Sequence, residues 1–192
     1  MSNVRSYKDS ELIERVESLP TFKGWRKGKY AIMVRSNEDE FDKFDDKCYC
    51  FESLQEGQKP QFAHVFPITT NAGATGLKLF AKYSSLGCAI LKSDILVYNS
   101  HKIGKHKGKY TAYTQNVGFP YFRDNDKDNK AEEVGKEYMN IIGANIHKAG
   151  SNSTQIGGWS VACLVFPKET DFNKFMEWGN GQIMNVSILK EF

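Results

Sequence analysis

The spacing of apolar positions divides the chain into one early helix and a series of short strands. Leu12, Ile13, Val16 and Leu19 recur at helical intervals, with Asp9 and Ser10 as capping residues and Pro20 as a stop, so a helix is predicted over 6–19. From Tyr30 the pattern changes. Residues 30–35 form a continuous apolar run expected of a buried strand, and 47–52 and 62–69 predict two more around the turn-rich stretch 55–60. Residues 86–98 fit a hairpin about Lys92-Ser93-Asp94, and 110–115 and 119–123 are short aromatic strands. A last apolar run, 141–146, leads as a buried strand into His147. A short helix over 171–178 follows, capped by Thr170 or Asp171 and ended by Gly179-Asn180-Gly181, and 183–189 is the closing strand. The expected fold is mainly β with short helices. Residues 1–20 are a helical appendage and 21–192 one domain, with the basic link 23–29, carrying Trp25, as the candidate boundary.

Composition narrows the functional classes. Hydrophobic residues make up 40% and aromatics 13% of the 192 residues, enough for one substantial core and weighted towards strands. A formal net charge of +3 lacks the clustered basic face that nucleic acid requires, so no nucleic-acid partner is expected. No apolar run reaches the ~18 residues of a spanning helix. Residues 1–18 hold no apolar signal segment. The expectation is a protein made in the cytoplasm without a signal peptide and without membrane insertion.

Several segments carry candidate chemistry. Residues 37–46 set Phe41 and Phe44 among Asp39, Asp42, Asp45 and Asp46, which fits a cation site or, more simply, a solvated loop pinned by two phenylalanines. The small-residue loop 70–76 has no lysine at P-loop spacing and no dinucleotide glycine pattern, which excludes nucleotide binding. Asp124, Asp126 and Asp128 alternate as in a calcium loop, but Asn129 and Gly135 stand where glycine and glutamate are needed, leaving an Asx-rich turn. Cys48 and Cys50 share one face of a strand as small buried side chains, with no histidine at finger spacing. No metal and no cofactor are expected. The basic, glycine-spaced segment 101–110 is either a solvated hairpin tip or one side of a groove for an acidic polymer, with His106 close to a reactive centre.

That centre is predicted from Asn145-Ile146-His147-Lys148-Ala149-Gly150 and Gly158-Trp159-Ser160-Val161-Ala162-Cys163. A thiol is a strong nucleophile once a base or positive field favours its thiolate, and an imidazole can take and return the proton. Small residues at Ser160 and Ala162 let backbone N–H groups approach a substrate carbonyl. Taken singly, a buried cysteine or histidine is more often structural; together they predict a cysteine–histidine acyl-transfer pair.

The order of histidine on a strand, polar loop, Ser160-Val161-Ala162-Cys163, short helix, glycine-containing turn and last strand resembles the catalytic domain of L,D-transpeptidases. These are cysteine enzymes that act on peptidoglycan stem peptides. The likeness covers residues 141–189. It departs from the family at Lys148, where glycine usually stands; at Val161-Ala162, where the family has His-Gly; and at Val165, where arginine is common. The resemblance implies an L,D-transpeptidase-like β-sandwich with an N-terminal helix attached. Cys163 is its nucleophile, His147 its base, and Ser160 a third member of the catalytic set. Backbone N–H groups at Ala162 and Cys163 would hold the oxyanion, and the Lys148 carbonyl or Ser151 would orient His147. Trp159, His106 and Lys148 are the candidate groove residues. The expected activity is stem-peptide hydrolysis at the cell wall after phage lysis, virion delivery or injection, with virion or secretion-apparatus proteins as further partners. Two alternatives are a catalytically degenerate virion or injection-apparatus component, and an L,D-transpeptidase that forms crosslinks.

Overall fold

A computed structural model describes residues 4–192. The expected mainly-β class holds. Among the described residues, eight strands form one sheet and three form a second. The strands in chain order are β1 (Gly28–Arg35), β2 (Asp46–Ser53), β3 (Gln61–Ile68), β4 (Cys88–Leu91), β5 (Ile95–His106), β6 (Tyr110–Gln115), β7 (Phe119–Asp124), β8 (Tyr138–Asn140), β9 (Ile146–Lys148), β10 (Leu164–Phe166) and β11 (Met184–Lys190). The large sheet runs β10-β9-β6-β5-β11-β1-β2-β3, and the small one β4-β7-β8. Just past β3, Thr69 pairs with Val165 of β10, the two backbone N–H groups donating reciprocally at 2.9 and 3.0 Å. That seam brings the two edges together, so the large sheet is nearly barrel-shaped.

The unbroken apolar run of β1 follows from burial on both faces. Ala31 and Met33 face the main core with Cys48 and Cys50, so the two cysteines do share one buried face. Tyr30, Ile32 and Val34 face the other way, where helix α1 (Asp9–Glu17) lays Leu12, Ile13 and Val16 on them, with Trp25 beside. The early helix therefore covers the outer face of the sheet and shares a core with it. It starts one turn later than expected, with Lys8 at the N-cap and the Glu11 carboxylate accepting the Lys8 N–H at 2.7 Å. Helix α3 (Glu169–Gly179) follows β10. It ends at Asn180, whose left-handed backbone (φ 46°, ψ 39°) closes the last turn. Its N-cap is Lys168, in place of Thr170 or Asp171.

Three expectations are corrected. Residues 86–98 are not a hairpin, because β4 and β5 lie in different sheets. The turn between them is drawn away from pairing by Lys92 N–H donating to Pro120 at 2.9 Å and Ser93 N–H to Glu133 at 3.1 Å. The run 141–145 is not a strand: it leaves β8 in the small sheet and enters β9 in the large one, with Ile141 exposed. A short apolar run cannot itself distinguish a strand from a buried connection. Finally, the basic segment is mostly the end of β5. Only Lys107, Gly108 and Lys109 form the tip, the first two with positive φ angles (49° and 71°) that suit a tight hairpin.

Candidate functional site

The parallel pairing of β9 and β10 builds the site. Leu164 lies level with Ile146 and Val165 with His147, so Cys163, one residue earlier, arrives beside Asn145. The Leu164 N–H donates to the Asn145 carbonyl at 2.9 Å and fixes that approach. From the other side, the β5–β6 hairpin carries His106 onto His147, the rings stacking with centroids 3.9 Å apart and planes 23° apart. One donor atom each from His106, His147 and Cys163 lies within 4.8 Å of the others. The structure thus brings together the thiol and the imidazole singled out from the sequence, with His106 stacked on the imidazole.

Hydrogen bonds assign the tautomers of both rings. His147 Nδ1 is 2.7 Å from the Lys148 carbonyl, an obligatory acceptor, so Nδ1 carries the proton. The Tyr110 hydroxyl also donates to that carbonyl, at 3.2 Å. His147 Nε2 is left as a lone pair, buried and without a hydrogen-bond partner. For His106 the chain of reasoning starts at the Gln115 backbone N–H, an obligatory donor, 3.1 Å from Asn145 Oδ1. The amide nitrogen of Asn145 must then face His106 Nδ1, at 3.1 Å, so Nδ1 accepts and Nε2 carries the proton. The stacked rings hold opposite tautomers: one free base, one free N–H.

The electrostatics keep all three groups neutral at rest. Burial first, then His106 and Lys107, pull His147 down to about 4, against the favourable carbonyls of Lys148 and Trp159. His106 is also lowered, by burial and by Lys107 and Lys109. Burial pushes the Cys163 thiol up, opposed by the Asn145 N–H and Lys107. The thiol donates to the Gly143 carbonyl at 3.5 Å. The resting pair is therefore thiol and imidazole, not thiolate and imidazolium.

Cys163 and His106 line a cavity of about 270 Å³, with Trp159, Tyr83, Lys107 and Arg123 among its walls. A larger basin of about 740 Å³, walled by Phe66, Pro67 and Lys168 among others, contains none of the three reactive groups.

The remaining predicted residues divide. Trp159 and Ala162 line the small cavity. Ala162 is not among the residues with positive φ, so alanine is unstrained where the resembled family has glycine. Ser160 is fully buried and its hydroxyl donates to the Cys163 carbonyl at 2.7 Å. That bond closes the turn that presents Cys163 and occupies the hydroxyl proton. Lys148 is not a groove residue: its ammonium pairs with Glu169 on α3, and its carbonyl orients His147. Ser151 uses its carbonyl to accept the Glu169 N–H at 3.2 Å, with no contact to the imidazole.

Two loops that were assigned no part in the site hold it. Asp42 Oδ1 accepts the N–H groups of Ala74, at 2.8 Å, and Gly157, at 2.6 Å. Helix α2 (Ala74–Leu79) and the residues before it back the cysteine turn: Gly73 N–H donates to Ser160 at 3.1 Å and Thr75 N–H to Gly157 at 3.2 Å. A Cβ on Gly73 would sit 2.5 Å from the Gly157 carbonyl, so this approach requires glycine. The acidic loop is thus solvated at Asn37, Glu38, Glu40, Phe41 and Lys43, while Asp39, Asp42 and Asp46 turn inward onto protein donors. Asp39 takes Asn71 Nδ2 at 2.6 Å, and Asp46 takes Ser36 and Thr70. Residues 124–129 are the expected Asx turns, with Asp126 accepting from Asp128 N–H at 2.9 Å.

No protein-family model matches this chain, and no curated protein or solved structure gives a significant match.

Proposed function

We propose that this protein is a cysteine peptidase of peptidoglycan stem peptides, working through a Cys163 acyl-enzyme with His147 as base in an L,D-transpeptidase-like sandwich. The observation that carries the reading is the unpartnered, proton-free Nε2 of His147 beside the Cys163 thiol at the wall of an open cavity. The resemblance over residues 141–189 supplies the substrate class. Delivery to the wall by a phage particle or an injection apparatus belongs to the same proposal.

The thiol proton passes to His147 Nε2 as sulfur attacks the peptide carbonyl. The oxyanion is met by the Nε2–H of His106 and by backbone N–H groups at Ala162 and Cys163, which have no partner among the described residues. A neutral imidazole can act as such an electrophilic donor, and the lowered pKa of His106 keeps it neutral. The C–N bond then breaks and the imidazolium returns its proton to the leaving amine. Water attacks the thioester, His147 takes its proton and returns it to sulfur, and the free acid departs. An amine in place of water would give a crosslink.

Two competing readings rest on specific observations. The raised thiol and lowered imidazole favour a degenerate structural component. The clustering of two histidines and a cysteine favours a metal centre, against which stands the protonated Nε2 of His106. Mass spectrometry of muropeptides separates the readings. Wild type should shorten stem peptides, and Cys163→Ala and His147→Gln should not. Identical profiles for wild type and Cys163→Ala would reject the peptidase, loss of activity in EDTA would favour a metal, and new 3-3 crosslinks would indicate transpeptidation.

A further inference from the structure

We infer that the cleft beside Cys163 contains a carboxylate-binding subsite formed by Arg123 of β7 and Lys107 of the β5–β6 tip. It rests on the peptidase reading only for the peptide nature of the ligand.

Both cations line the 270 Å³ cavity, and no aspartate or glutamate does among the described residues. Arg5, Arg15 and Arg35 each pair with a carboxylate, Glu11, Asp94 and Glu133. Arg26 is exposed and lies over the Tyr98 ring. Arg123 differs from all four. It is half-buried, its Nη1 donates to the Gly87 carbonyl at 2.9 Å, and its guanidinium lies over the Tyr121 ring, 4.9 Å from the centroid. Its Nε is buried with no hydrogen-bond partner; Arg15 Nε is likewise unpartnered, but the Arg15 guanidinium is already paired with Asp94, whereas Arg123 has no carboxylate among the described residues.

A guanidinium presents five N–H groups in a rigid fork that matches a carboxylate. Leaving one of them dehydrated and unpaired is costly unless a ligand completes it. The scaffold also fixes the fork. Gly87 adopts φ 121°, and a Cβ there would sit 2.4 Å from the Asp124 carbonyl, so only glycine holds the carbonyl that anchors Nη1. Lys107, exposed at the tip and without an ion-pair partner among the described residues, adds positive potential at the same mouth. Charge-assisted hydrogen bonds of this kind are about twice as strong as neutral ones. A stem peptide offers two sources of the anion, the C-terminal carboxylate and the side-chain carboxylate of a diaminopimelate residue.

The test uses full-length Cys163→Ala protein, which binds without turnover. The probes are acetyl-L-lysyl-D-alanine, its C-terminal amide, and acetyl-diaminopimelyl-D-alanine amide. Calorimetry gives affinity, and ¹⁵N NMR follows the Arg123 Nε–H. One carboxylate-bearing probe should bind at least about tenfold more tightly than the carboxylate-free lysyl-alanine amide and should shift the Nε–H signal. The acid and the diaminopimelyl amide identify which carboxylate is read. Arg123→Gln should reduce the preferred probe to the level of the amide. Arg123→Lys and Lys107→Ala, which keep respectively the charge and the Gly87 contact, should lose only part. Equal binding of all three probes, or full retention in Arg123→Gln, would overturn the subsite. Wild type that cleaves carboxylate-bearing and carboxylate-free peptides equally keeps the peptidase and loses the subsite. Preferential binding without any cleavage by wild type does the reverse.

Discussion

Asp42→Asn and Asp46→Asn remove the same charge from the same loop, yet the hydrogen bonds around the two carboxylates set unequal outcomes. Asp46 uses both oxygens. Oδ1 accepts the Ser36 N–H at 2.8 Å; Oδ2 accepts the Thr70 N–H at 2.6 Å and its hydroxyl at 2.7 Å. The Thr70 hydroxyl is itself the acceptor for Arg35 Nε at 2.9 Å, so its own proton must point at Asp46. Burial pushes the Asp46 carboxyl up, and these donors together with Arg35 oppose the rise. Whichever way an asparagine amide is turned there, its NH₂ meets a buried backbone N–H. One such unmet donor costs about 1–3 kcal/mol. Loss of the charge beside buried Arg35 brings the total to about 3–5 kcal/mol. Asp42 concentrates both its backbone bonds on Oδ1. An asparagine carbonyl can keep both, so Asp42→Asn should cost under about 1 kcal/mol. Asp42→Ala, which strands two half-buried donors, should cost about 2–4 kcal/mol. Urea unfolding at constant m-value measures the series. Equal losses for the two asparagine variants, or a larger loss at Asp42, would refute the assignment of acceptors.

Further outcomes follow from the site and the core. Iodoacetamide labelling of Cys163, followed by mass spectrometry against a Cys163→Ala control, should rise only above the free-thiol range of about 8.5, because burial pushes that thiol up; rapid labelling at pH 6 would show a preformed thiolate. Asn145→Asp should turn His106 over, the new carboxylate taking Nδ1–H and leaving Nε2 bare. ¹⁵N NMR of the imidazole should report the switch, and turnover should fall about 10²–10³-fold if His106 meets the oxyanion; an unchanged tautomer would refute the network. A Cβ on Gly179 would lie 2.3 Å from the Tyr113 hydroxyl oxygen, so Gly179→Ala should cost about 1–3 kcal/mol, partly recovered by Tyr113→Phe; a neutral Gly179→Ala would contradict that packing. His147 stays neutral when folded, so its contribution is present above its unfolded pKa of 6.5 and is lost as pH falls towards the folded value of about 4. That drop corresponds to about 3 kcal/mol. The stability of wild type relative to His147→Gln should therefore decline by about that amount between pH 7 and pH 4, and a flat difference would refute the burial argument.

Periodicity located most strands because β1, β2 and β11 bury continuous or alternating apolar faces that leave a clear local signature. It misplaced residues 86–98 and 141–145 because pairing between sheets is decided by tertiary hydrogen bonds, such as Lys92 to Pro120, that no local pattern records. In the site, His147, Cys163 and His106 were legible as chemistry-bearing residue types at element ends. Asn145 was not: its role depends on the Gln115 N–H, thirty positions away, which turns its amide. The subsite proposed at Arg123 was illegible for a related reason: that this arginine has no carboxylate partner among the described residues becomes visible only when its neighbours are known. Asp42 resembled a solvated acid until the Gly157 N–H was found on it.

The seam between Thr69 and Val165 closes the large sheet with only two backbone bonds, whereas β1 is paired along its whole length on both sides. Local opening should therefore start there, and hydrogen exchange at the Thr69 and Val165 amides should outpace that of β1 and β11. Cys163 lies two residues upstream of Val165. Breathing of this join would shift the Cys163 thiol against the His147 imidazole while the helix-covered face stays locked, giving the ring one pliable quarter beside the small cavity.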